Sequence, residues 1–405
     1  MNKENLETKN NIQKKYLNKY SLKKMFKNFD KLEKDIKSRT NNLNQNLNIL
    51  SKNYKFNFKT RDLNKFNKFK KIAILGMGGS ILGSESIQNF LGAKIKKKIF
   101  FFDNLNTKKN FTFKKKENFK KILFIIISKS GNTVETLSNF LSLNIIKKKA
   151  KNIIIISEKE NNPLYLISKK FDLFHVEHKK NIGGRYSVLS EVGIIPAYLM
   201  GLNIIKLRSN TLDFFKGKKN LFLKDSVVKL ANLLKYKKIK NIIFLNYAPE
   251  LEKFLFWCQQ LIAESLGKNS KGFLPVISSM PKDHHSLLQL YLDGPRDKLF
   301  HIFSIDGSTS EKIQANTVLG KSHFLNKKNL DVIKNAQKNA LIKTLKNKNI
   351  PFREFKIKRI NESVLGELFS YFIIETVIIG KLIKINPYDQ PAVEQIKLIT
   401  KKLLS

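Results

Sequence analysis

Ile122-Leu123-Phe124-Ile125-Ile126-Ile127 is an unbroken apolar run that passes straight into Ser128-Lys129-Ser130-Gly131-Asn132-Thr133-Val134-Glu135-Thr136. A continuous run of this kind suits a strand buried on both faces, as in a parallel sheet covered by helices; a sheet with one wet face would alternate. The glycine-containing turn that follows leads into a helical pattern. Backbone N–H groups at a helix start, assisted by Ser and Thr hydroxyls, hold a phosphate dianion without a metal. Ser128, Lys129, Ser130, Thr133 and Thr136 are therefore candidate phosphate ligands. An ordinary Ser/Thr N-cap is the plainer alternative, although one hydroxyl would satisfy a cap.

Similar runs occur on either side: Ile72-Ala73-Ile74-Leu75, Ile99-Phe100-Phe101-Phe102 and Ile153-Ile154-Ile155-Ile156. A second series follows, with strands over 242–245, 273–277, 299–305 and 352–357 and helices over 225–234, 251–266 and 330–345. The pattern predicts two doubly wound parallel α/β domains, at 51–210 and 211–360. Residues 1–50, Lys/Asn-rich with loose helical spacing, read as a peripheral helical arm, and 361–405 as C-terminal helices around an Asn386-Pro387 break. The apolar stretch 368–385 contains Glu375 and Lys381, which favours a buried helix over a membrane span.

The chain has 405 residues, 42% hydrophobic and 11% aromatic, so a large core is available. Its formal net charge of +45 comes from 77 basic against 32 acidic residues. Only seven of the basic residues are Arg, and the Lys are spread along the whole chain, which points to compositional drift more than to a specific nucleic-acid reader. A single Cys, Cys258, excludes an intrachain disulfide and fits a reducing cytoplasm, and the polar N-terminus lacks the apolar core of a signal peptide. The remaining His residues, His175, His178, His301 and His323, lack metal-ligand spacing, so no metal is expected.

After the first strand comes Gly76-Met77-Gly78-Gly79-Ser80-Ile81-Leu82-Gly83, in which Gly79 and Ser80 let backbone approach an anionic ligand. The same loop could serve a dinucleotide, with Asp103 as the ribose-binding acid, but its G-x-G-G spacing departs from G-x-G-x-x-G. A tight strand-to-helix turn is the third alternative. Together with the hydroxyl-rich turn, this loop resembles the sugar isomerase (SIS) domain. Four further segments resemble the glucose-6-phosphate isomerase family: Gly183-Gly184-Arg185-Tyr186-Ser187, Glu264-Ser265-Leu266-Gly267-Lys268, His285-Ser286-Leu287-Leu288-Gln289-Leu290 and Asp389-Gln390-Pro391-Ala392-Val393-Glu394-Gln395-Ile396-Lys397.

The resemblance implies two SIS-type domains and cofactor-free aldose–ketose isomerisation of glucose 6-phosphate and fructose 6-phosphate through a cis-enediol, a step of glycolysis and gluconeogenesis. It implies Glu264 as the base that moves a proton between C1 and C2, Gln260 and Gln390 as substrate contacts, and His285 and Lys397 as ring-opening groups. Arg185 stands among abundant Lys, and a planar, permanently charged fork suits the developing enediolate oxygen. His285 is implied to enter the site from a second subunit, hence a homodimer, with the adjacent His284 as its rival for the ring-opening role. Two readings stay open beside this one. The turn at Ser130–Thr133 is closer to bifunctional phosphoglucose/phosphomannose isomerases, and a non-catalytic phosphosugar sensor would share the phosphate loop without needing Glu264.

Overall fold

The computed structural model describes residues 5–307 and 311–405. Among these, the strands are β1 (Leu6–Asn11), β2 (Lys71–Leu75), β3 (Lys98–Phe102), β4 (Ile122–Ile127), β5 (Ile153–Ser157), β6 (Phe174–Glu177), β7 (Asn241–Asn246), β8 (Leu274–Ser279), β9 (Lys298–Ile305) and β10 (Phe352–Ile357). They form two five-stranded sheets, ordered β3-β2-β4-β5-β6 and β1-β10-β9-β7-β8. The first is parallel throughout, and so is the second apart from β1, which runs antiparallel to β10. The two-domain α/β class read from the sequence is thus the observed one.

Every residue of β4 is buried, as is every residue of β5. Fully burying a side chain such as Ile or Phe contributes roughly 1.5–3 kcal/mol, so these central strands need no polar alternation to fix their place. One apolar cluster continues from Ile72 and Ile125 in the first sheet to Phe244 and Phe303 in the second. The helix Glu362–Leu382 lies within that cluster and packs against helices Lys19–Asn41, Gly217–Lys235 and Glu252–Leu266. It is long and apolar enough to cross a membrane, yet 94% of its apolar window is buried inside the protein. A helix apolar on all sides is what a position between helices requires.

Residues 1–50 differ from the expected peripheral helical arm. β1 crosses to the second sheet and pairs Leu6 with Ile357 through to Asn11 with Phe352. The helix that follows, Lys19–Asn41, buries Phe29 and Ile36 completely. β1 has little apolar pattern because the exposed backbone edge of β10, rather than side-chain burial, makes it a strand. β6, only four residues long and half polar, is a second strand that pattern reading does not find.

In the first sheet the order reverses direction between β2 and β4, and in such sheets ligands bind in the crevice beyond the carboxyl ends of the strands on either side of the reversal. The glycine loop follows β2 and the hydroxyl-rich turn follows β4.

Candidate active site

The two loops adjoin at their bases. A Cβ on Gly76 would stand 3.1 Å from the Ser80 Cβ and 3.2 Å from the Ile127 carbonyl oxygen. The turn Gly78–Ser80 then meets two other elements. Gly78, with φ of +51°, lies so close to Gln260 that a Cβ would be 2.8 Å from its Nε2, and a Cβ on Gly79 would fall 2.2 Å from the Gly184 carbonyl carbon. Only glycine combines the left-handed backbone with that approach. The loop of the first sheet is thereby set against the Gly184–Leu189 turn and the helix Glu252–Leu266.

Arg185 lies where these elements meet. Its guanidinium is almost wholly enclosed, 3% exposed as a residue. Nε donates to Ser265 Oγ at 2.8 Å, Nη1 to Gln390 Oε1 at 2.9 Å, and Nη2 to the carbonyls of Pro387 at 2.7 Å and Asp389 at 3.0 Å. The remaining direction, from Nη1, faces Glu264 Oε1 at 3.4 Å. A buried cation needs partners at every donor, and here four hydrogen bonds fix the fork while its last edge faces a carboxylate.

Ser265 completes the arrangement. Tyr186 donates its hydroxyl proton to the Pro387 carbonyl at 2.8 Å, so the 2.9 Å contact between Tyr186 and Ser265 uses the serine proton. Burial pushes the Tyr186 phenol above its usual range, so it stays protonated in this role. Neither Ser265 nor Tyr186 was singled out from the sequence; their positions directly after Glu264 and Arg185 are the signal that marks them.

Glu264 lies one helical turn beyond Gln260 and accepts a hydrogen bond from its Nε2 at 3.0 Å. Its side chain is 26% exposed, and a cleft of about 1030 Å³ opens beside it, bordered by Gly267, Lys268, Asp389, Gln390 and Pro391. Gln260 Oε1 is buried without a hydrogen-bond partner among the described residues. Lys268 pairs with Asp389 at 2.6 Å, tying the helix end to the C-terminal segment. A carboxylate held by an amide on one side and a guanidinium on the other, open to a cleft, can exchange a proton with a bound carbon acid.

The hydroxyl-rich turn is built for curvature. Gly131 has φ of +63°, and any Cβ there would overlap Asn162 Oδ1. Asn162 caps the helix Pro163–Lys170 through the Tyr165 amide, and the Leu164 amide donates to the Gly131 carbonyl. Ser128 and Thr133 hydroxyls lie 2.8 Å apart, Ser130 donates to Asn132, and Thr136 Oγ1 is buried with no partner. Lys129 turns its ammonium to the Lys180 carbonyl at 2.7 Å, near Glu158 at 3.7 Å. Burial, opposed by Glu158, holds that ammonium below its usual range.

Two expected residues are not brought to Glu264 within this chain. His285 is exposed at the end of the short turn Lys282–His285 and makes no side-chain hydrogen bond among the described residues. That turn is fixed by Asp283, which accepts from Ser278 Oγ, the Ser279 amide and Ser286 Oγ. Burial alone would raise the Asp283 carboxyl, and these three bonds outweigh it and hold it below its usual range. His284 instead meets the Tyr247 hydroxyl at 2.7 Å, and burial, then His285, lowers its pKa. Lys397 lies on the helix Glu394–Leu404, which buries no residue, and pairs with Glu394 at 2.8 Å. Among the described residues, no group of three His, Cys, Asp or Glu could hold a metal ion.

The chain is 34% identical to a probable glucose-6-phosphate isomerase of Methanococcus maripaludis, over 85% of this chain and 81% of that protein. It is 31% identical to a glucose-6-phosphate isomerase of Methanocaldococcus jannaschii, over 84% and 85%. Among solved structures, a hypothetical protein of Thermus thermophilus shares the fold with a TM-score of 0.82 at 20% identity, over 98% of this chain and all of that one. A glucose-6-phosphate isomerase of Chlamydia trachomatis matches with a TM-score of 0.68 at 17% identity, over 84% of this chain and 71% of that one. The family described as phosphoglucose isomerase matches residues 32–273, more than half of the chain, and the chain belongs to that family.

Proposed function

We propose that this chain interconverts glucose 6-phosphate and fructose 6-phosphate, with Glu264 as the base and Arg185 as the group that stabilises the intermediate. The observation that carries the assignment is the 3.4 Å approach of Arg185 Nη1 to Glu264 Oε1 at the mouth of a cleft. In the open-chain aldose, the Glu264 carboxylate takes the proton from C2. The C2–H electron pair forms the C1–C2 double bond, and the carbonyl electrons move to O1. The resulting enediolate oxygen is stabilised by the guanidinium edge that faces Glu264, a preorganised charge that need not reorient as the reaction proceeds. Glu264 returns the proton to C1 while the O2 hydroxyl proton passes to O1, so that C2 becomes the carbonyl of the ketose and C1 carries the hydroxyl. No external oxidant or reductant enters.

Ser80, Ser128, Ser130, Thr133 and Thr136 hold the phosphate, with the backbone of Gly79 and of the turn begun by Lys129. The unpartnered Thr136 Oγ1 supports this reading. The free Oε1 of Gln260 and the amide group of Gln390 face sugar hydroxyls. His285 and Lys397 open the ring. The exposure of both supports a route in which His285 arrives from the partner in a homodimer and the C-terminal helix moves its lysine inward. A lone, buried Cys258 fits a cytoplasmic setting.

A coupled assay in excess EDTA tests the assignment. Glu264→Gln keeps the side-chain shape but accepts at only one of the two oxygen positions, and turnover should fall by about 10²–10⁴-fold. Wild-type turnover by the Gln variant would remove Glu264 as the base.

A further inference from the structure

The edge of the first sheet at β3 presents a surface that the isomerase reaction does not use. In the parallel pairing of β3 with β2, the Lys98 amide donates to the Lys70 carbonyl and the Phe102 carbonyl accepts from the Gly76 amide. Parallel pairing alternates, so Lys98, Phe100 and Phe102 turn their backbone groups to β2, while the N–H and C=O of Ile99 and Phe101 face outward. A cleft of about 800 Å³ runs along that edge, between the helices Leu82–Phe90 and Thr107–Lys116.

Two features of the cleft point to its occupant. Ile99 and Phe101 on one face of the strand, and Phe100, Phe102 and Phe113 packed edge-to-face on the other, give it apolar walls. Lys98, Lys109 and Lys253 are matched to Glu117, Asp103 and Glu85, whereas Lys108 and Lys116 make no ion pair among the described residues, so the surplus charge is positive. The molecule also covers another edge by strand addition, since β1 pairs along the whole of β10.

We propose that the β3 edge binds an extended acidic peptide segment of another protein as an added strand. Its backbone pairs with Ile99 and Phe101, its carboxylates meet Lys108 and Lys116 on the face of the helix Thr107–Lys116, and its alternate apolar side chains rest beside those of Ile99 and Phe101 on the opposite face. Main-chain pairing supplies the affinity and the lysines select the charge.

The probe is a fluorescein-labelled alternating glutamate–valine hexapeptide added to the full chain at near-physiological salt and followed by anisotropy. Its control has the same sequence with alternate backbone nitrogens methylated, which keeps the charge and removes the strand donors. The unmethylated peptide should bind about tenfold more tightly, the equivalent of one or two net hydrogen bonds. It should also slow hydrogen exchange at the Ile99 and Phe101 amides. Ile99→Pro removes an outward donor and leaves the hydrogen bonds to β2 in place; although the lost packing of the Ile99 side chain against the core lowers the thermal midpoint somewhat, the variant remains folded and should abolish the difference between the two peptides. A Lys108→Glu, Lys116→Glu double variant, which leaves the strand intact, should weaken the unmethylated peptide by about tenfold. Equal binding of the two peptides would mean adsorption to a lysine-rich surface and would overturn the proposal, as would unaltered binding in the double variant.

Discussion

Arg185 and Lys397 are two cations assigned to one reaction, and they are held in opposite ways. Arg185 has four hydrogen-bond acceptors from two segments far apart in sequence and almost no exposure. Lys397 has one ion pair to its own helix and lies in solvent. His285 resembles Lys397 in exposure, although the turn that carries it is fixed by Asp283. The chemistry at C1, C2 and the enediolate needs a geometry set before substrate arrives. Ring opening is compatible with groups that arrive later, from a moving helix or from another chain. On the proposed assignment, a single chain holds its proton-transfer groups in place and leaves its ring-opening groups apart from them.

The sharpest way to break this contrast is at its rigid side. Arg185→Lys keeps the charge but cannot reach Ser265, Gln390 and the Pro387 carbonyl together, so kcat should fall by about 10²–10³-fold. Thermal stability should fall with it, because the Asp389 carbonyl loses the guanidinium as donor and the Pro387 carbonyl keeps only Tyr186. Retained activity with only a higher KM would mean that the guanidinium serves binding alone.

The mobile side is tested by mixing. His285→Ala alone should lose roughly 10²-fold in turnover on ring-closed substrate. Unfolding and refolding it together with Glu264→Gln should restore activity that neither variant has, since each mixed dimer regains one intact site. No recovery would place His285 in the same subunit as its own Glu264.

The smallest effect concerns acid. Burial pushes His178 down to about 4, against a slight opposing pull from its hydrogen bond to the Lys179 carbonyl. Between about 6.5 and this lower value the unfolded chain binds the extra proton and the folded chain does not, so stability rises with pH across that window. This contribution is complete above about 6.5 and falls away as pH drops towards about 4, on the order of a few kcal/mol. His178→Gln should flatten the decline of the thermal midpoint over that range, and an unchanged slope would mean that His178 is not the group responsible.

How much of this could be read from the chain depended on what holds each part. β4 and β5 were legible because burial on both faces leaves a one-dimensional mark, an unbroken apolar run. β1 was not, because its strand state is imposed by a partner more than three hundred residues away in sequence. At the site, the motifs around Arg185 and Glu264 marked both residues, but nothing local shows that Gln390 and the Pro387 carbonyl close the guanidinium's shell. The direction of the Lys129 ammonium, away from the turn and towards Lys180, is likewise set by elements that the residue does not adjoin in sequence.

The pairing of β1 with β10 has a consequence for biosynthesis. Residues 6–11 leave the ribosome more than three hundred residues ahead of their strand partner, residues 352–357. The first sheet, closed between residues 71 and 177, can assemble on the nascent chain, while residues 6–11 wait, unpaired, until residues 352–357 emerge to receive them. The second sheet is thus completed only after residues 352–357 have been synthesised.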